Sequence, residues 1–118
     1  MTDRMNSTFV RAQIQKSLEI LASSAAEQRE YLERLELAPS ADELALALDD
    51  FIVMLPEAVN EGALSEEQVA AIRRVGDLTA SFSGKENAVL WKTDQLDSAW
   101  QWKEVRKLAR EALLMLRQ

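Results

Sequence analysis

Apolar residues recur at three- and four-residue steps along nearly the whole chain, and only three glycines and two prolines interrupt them. That spacing lines one flank of an α-helix, whereas a half-buried strand would need strict alternation. In the first segment Val10, Ile14, Leu18, Leu21, Ala25, Leu32 and Leu35 form such a stripe, broken by a seven-residue jump across Gln28. The pattern predicts one long helix from about Ser7 to Leu35, the spine of the molecule.

Leu37-Ala38-Pro39-Ser40 ends that helix, because proline disfavours helical geometry in the residue before it and has no amide to give the preceding turn. Ser40 and Glu43 have the spacing of a capping box and predict an immediate restart. Leu44, Leu48, Phe51, Ile52 and Leu55 make the main stripe of this second helix. Leu46 and Val53 lie on its other side, which predicts burial between neighbours. Pro56 ends or kinks it, and Asn60-Glu61-Gly62 is a stop.

Ser65 and Gln68 repeat the capping-box spacing and open a third helix, with Ala71, Ile72, Val75, Leu78 and Phe82 inward and Gly84 as terminator. A polar loop follows over 83–87. Ala88-Val89-Leu90-Trp91 reads as a buried connector or one helical turn, with a strand as the alternative.

In the last segment Trp102, Val105, Leu108, Ala109, Ala112, Leu113, Met115 and Leu116 gather on one side of a helix, while Leu96 and Trp100 project from the other. A continuous helix from Thr93 would turn two large apolar groups away from the core. Ser98 and Gln101 have capping-box spacing, which predicts a short turn at 94–97 and a helix over about 99–117. The expected fold is all-α: an antiparallel helical bundle of four principal helices, with a short extra turn before the last, in one domain spanning residues 1–118. At 118 residues such a domain buries roughly two-thirds of the surface its extended chain exposes.

The chain has no histidine and no cysteine. Those side chains supply most general bases near neutral pH, most ready nucleophiles and most structural zinc ligands, so the expectation is a non-enzyme with no cofactor and no metal. Dinuclear metal sites in bundles complete their glutamates with Glu-x-x-His, which is impossible here. Glu27, Glu30, Glu33 and Glu36 advance by three and wind around their helix instead of converging. Gly84-Lys85 does not make a phosphate loop, since the first glycine of that motif is missing and Glu86 follows the lysine. A net charge of −6 disfavours nucleic acid as a partner. The longest strictly apolar run, Phe51 to Leu55, is far too short to span a membrane, and the start lacks the pattern of a signal peptide. A cytoplasmic protein without a membrane partner is expected.

Charge is concentrated. Residues 27–57 hold nine acids against Arg29 and Arg34, a net of −7, while the rest of the chain sums to +1. This acidic lobe, with Glu30, Glu33, Asp42, Glu43, Asp49 and Asp50 as candidate contacts, points to a protein partner with a basic surface. The expected function is a protein-interaction module, concretely a small acidic inhibitor or immunity-type protein. Asp49 and Asp50 are also placed to pair with Lys103, Arg106, Lys107 or Arg110 of the last helix, while Arg29–Glu33 and Glu30–Arg34 have ion-pair spacing.

Phe9, Ile20 and Tyr31, spaced by eleven residues, fall on nearly one angle of a continuous helix. They are a candidate apolar interface, as are Leu96 and Trp100. The alternative function is therefore a homodimer or other homo-oligomeric structural or regulatory subunit using these residues. A carboxylate-based enzyme comes third.

Overall fold

The protein is represented by a computed structural model that describes residues 7–35 and 41–117. Among them the fold is all-α: α1 (Ser7–Ala22), α2 (Ala25–Arg34), α3 (Asp42–Ile52), α4 (Leu55–Asn60), α5 (Glu66–Ser81), a 3₁₀ segment (Lys85–Trp91), α6 (Gln95–Ser98) and α7 (Trp100–Leu116). The helix stop at Leu37–Ser40, the Ser40 half of the expected capping box and Glu36 lie outside the described residues.

The predicted first helix is two helices. Ser24 adopts extended geometry and its hydroxyl accepts the Glu27 amide, while the Glu27 carboxylate accepts the Ser24 amide at 3.0 Å. This reciprocal cap satisfies amides that a continuous helix would have bonded to the preceding turn, so the chain restarts at Ala25. The second predicted helix also divides: α3 ends at Ile52, and Pro56 sits within the first turn of α4, where a missing amide costs nothing. Gly62, with φ of 80°, then closes α4. The Ala63 amide reaches the Ala58 carbonyl at 2.9 Å and the Gly62 amide reaches that of Val59 at 3.0 Å, the pair of bonds of a Schellman stop.

The Ser65–Gln68 capping box forms as its spacing implies. The Ser98–Gln101 box does not form, because Ser98 is the last residue of α6 and Ala99 takes the extended cap position instead. The strand alternative for 88–91 is corrected to the 3₁₀ segment, whose residues are half-buried or exposed.

Side-chain links fix the directions of the long helices. Arg11 of α1 donates to the Leu116 and Ala63 carbonyls, so the start of α1 meets the end of α7. Gln68, in the first turn of α5, donates to the Met115 carbonyl, whereas Phe82 at the other end packs on Trp102. Hence α1 and α5 both run antiparallel to α7. Helix α3 packs on α1 and α5 as well, which leaves α3 and α7 on opposite sides of that pair. Gly76 lets α3 approach closely, since a β-carbon there would stand 2.5 Å from Cδ1 of Ile52.

One continuous core joins Ile14, Leu18 and Leu21 of α1 to Leu44 and Leu48 of α3, Ile72 and Val75 of α5, and Trp102, Val105 and Ala109 of α7. At one end Phe82, Trp91 and Trp102 form an aromatic triangle with centroids 5.0–5.4 Å apart. Their polar edges are satisfied: Trp91 Nε1 donates to the Phe82 carbonyl at 2.9 Å and Trp102 Nε1 to the Leu90 carbonyl at 2.7 Å. No described helix is long and apolar enough to cross a membrane.

Candidate functional site

The candidate acids lie on the neighbouring helices α2 and α3. Glu30 and Glu33 are exposed on α2, Asp42, Asp49 and Asp50 are exposed on α3, and Glu43 is half-buried. On α3 the residues at 42, 46, 49, 50 and 53 follow helical spacing along one flank. That flank carries two apolar groups among its carboxylates, Leu46 at 45% exposure and Val53 at 77%. The expectation that both are buried is corrected: α3 has packed neighbours on two sides and this third flank is open. From Leu35 to Ile72 the sequence contains nine acids and no lysine or arginine, so α3 has no cations of its own.

The expected ion pairs rearrange. Arg29 leaves Glu33 and makes a two-pronged contact with Asp97 of α6, at 2.8 and 3.3 Å. Glu30 and Arg34 approach to only 3.9 Å. Among the described residues Asp49 and Asp50 form no ion pair with α7, because α1 and α5 lie between α3 and that helix. Burial pushes the Asp49 carboxyl above its ordinary range, and the neighbouring Asp50 charge pushes it the same way. The outer edge of α3 is thus an anionic strip whose own charges repel.

Phe9, Ile20 and Tyr31, expected on one line of a single helix, are divided between α1, which holds Phe9 and Ile20, and α2, which holds Tyr31. The break at Ser23–Ser24 resets the helical phase, so the eleven-residue spacing no longer stacks the three. Ile20 and Tyr31 are half-buried and line a pocket of about 250 Å³ with Ala47 and Phe51 of α3, while Phe9, 43% exposed, packs T-shaped with Phe51, their ring centroids 6.3 Å apart. Leu96 is corrected from interface to core, at 0% exposure, because the extended backbone at Ala99 separates its orientation from that of α7. Trp100 stays exposed, at 65%.

A buried polar junction joins α1, α2 and α7. Gln28, fully buried, donates to the Ile20 and Leu21 carbonyls at 3.1 Å each and accepts from Arg106 at 3.2 Å. The signal for it was the gap that Gln28 leaves in the first apolar stripe: a polar residue on the inward flank has to find partners inside. Burial lowers the Arg106 pKa and nearby Arg110 lowers it further, while Asp97 works in the opposite direction.

Beside the acidic strip lies a cleft of about 500 Å³ between α3 and the 3₁₀ segment. Asp42, Leu46 and Asp49 stand on the α3 wall, and Lys85, Trp91 and Lys92 on the other. The chain matches no family model, no curated protein and no solved structure. Among the described residues no group of three or more metal-ligating side chains is close enough to hold an ion.

Proposed function

We propose that the protein is a non-enzymatic interaction module whose α2–α3 face covers a basic surface on a protein partner, in the manner of a small acidic inhibitor or immunity-type protein. One observation carries the reading: the exposed flank of α3 interleaves carboxylates at Asp42, Asp49 and Asp50 with open apolar side chains at Leu46 and Val53, with no basic residue on the same helix. Apolar anchors inside a charged rim are what a protein interface needs, the anchors for affinity and the charges for encounter rate and partner choice. The raised pKa of Asp49, set first by burial and then by the Asp50 charge, adds support, because an approaching cation offsets both the lost hydration and the repulsion. The homo-oligomer reading has less behind it, since Ile20 and Tyr31 are occupied within the fold.

Affinity capture from cell extract with the wild type and with an Asp49→Lys/Asp50→Lys variant, both checked for helical content, tests this. A basic protein retained by the wild type, released by salt and absent from the variant supports the proposal. A partner held equally by both, or released only by detergent, rejects the acidic face as the docking surface.

A further inference from the structure

The cleft between α3 and the 3₁₀ segment differs from the acidic face in carrying both signs of charge. Asp42 and Asp49, seven residues apart, share the α3 wall, and Lys85 and Lys92, also seven apart, share the opposite one. Between them lie the apolar surfaces of Ala45, Leu46 and Trp91. Asp49, Lys85 and Lys92 form no ion pair with one another among the described residues, so their charges face the space between the walls without cancelling across it.

The walls are held in place before any ligand arrives. The Ala41 amide at the head of α3 donates to the Trp91 carbonyl at 2.7 Å, which ties the two walls together at one end. The Trp91 indole is fixed by its bond to the Phe82 carbonyl and by stacking on the Phe82 ring. Gly84, at φ of 105°, turns the chain from α5 into the lysine-bearing wall, a conformation that other residues rarely adopt. A preformed, largely apolar concavity of about 500 Å³ with a few convergent polar groups has the size and character of a small-ligand site.

We infer that this cleft binds a small zwitterion with an apolar body, its cationic end on Asp49, its anionic end on Lys85 and Lys92, and its body against Leu46 and Trp91. A short free peptide has that layout, an ammonium and a carboxylate separated by side chains. The inference does not rest on protein docking, because Lys85 and Lys92 play no part in that reading.

The test is a titration of ¹⁵N-labelled protein with the free tripeptide Ala-Leu-Ala, its N-acetylated form and its C-amidated form, read at the Trp91 indole resonance. The free peptide is expected to shift that resonance saturably, and blocking either end to weaken binding about tenfold, the worth of one charge-assisted hydrogen bond. In Asp49→Asn acetylation loses its effect while amidation keeps it. In Lys85→Gln/Lys92→Gln the pattern reverses. All three positions are exposed and Asp49→Asn relieves a repulsion, so these variants fold. An unsaturable response, equal binding of free and blocked peptides, or shifts confined to Trp100 would overturn the inference. A wild type that binds the peptide but retains no basic protein would sink the docking proposal alone.

Discussion

Asp49 shows how one side chain can be read in sequence and still change meaning in the fold. Its spacing from Leu46 and Val53 was visible in the sequence, but the pattern predicted that flank to be covered, and it is open. The open flank leaves Asp49 beside Asp50 with no compensating cation from α7. Its pKa in the folded protein lies above the ordinary 3.8, so the folded state binds this proton more tightly than the unfolded chain does. The stability it contributes is complete below the unfolded value and is lost as pH rises through the folded one. Asp49→Asn should therefore stabilise the protein at neutral pH by about 0.5 kcal/mol, the scale of one exposed charge pair. In urea melts the difference should shrink as the pH is lowered and vanish once both carboxyls are protonated. A constant difference down to strongly acidic pH would show that the effect is not the charge. Leu96 and Trp100 teach a related lesson, since both looked outward in sequence and the backbone at Ala99 sent one of them into the core.

Helix boundaries depend on caps, and the caps were partly legible. The Ser65–Gln68 box forms as its spacing predicts, whereas Ser24-Ala25-Ala26-Glu27 carries the same spacing within an apolar stripe that continues across it. The stripe reports which flank is buried, and it does not require an unbroken backbone. Ser24→Ala removes an acceptor from the first turn of α2 and should cost about 1 kcal/mol, the usual worth of such a cap. Hydrogen exchange should quicken first at the amides of α2. Uniform quickening throughout the chain would mean that the cap acts on global stability and does not hold one helix. Glu27 is held below its ordinary pKa by the Ser24 amide, with the Ser24 hydroxyl adding to the effect. The stability from that carboxylate is present above about pH 4.5 and is lost as pH falls through the lower folded value. Ser98 and Gln101 have the same spacing but no box, because a residue ending one helix cannot also hold the extended geometry that opens the next.

Across the whole molecule, residues 78 apart in sequence are joined by the contact of Arg106 with Gln28. Arg106→Met keeps most of the side-chain volume but leaves the Gln28 Oε1 without its donor in a fully buried position. Leaving such an acceptor unsatisfied costs about 1–3 kcal/mol. Exposed Lys107→Met on the same helix should change stability by less than about 0.5 kcal/mol. Chemical denaturation of both variants separates the two, and equal losses would mean that the buried bond contributes nothing beyond helix α7 itself. The same tertiary arrangement keeps the cations of α7 away from the acids of α3, although the sequence suggested that they would meet.

Helical class, the inward residues of α1, α5 and α7 and the concentration of acid were determined by the sequence alone, because periodicity and charge composition act over a few turns of chain. Which flank of α3 stays open, whether Leu96 is core or surface, and the placement of two aspartates opposite two lysines across a cleft were decided only by the tertiary structure. Each depends on which helices come to lie side by side, and no local spacing encodes that.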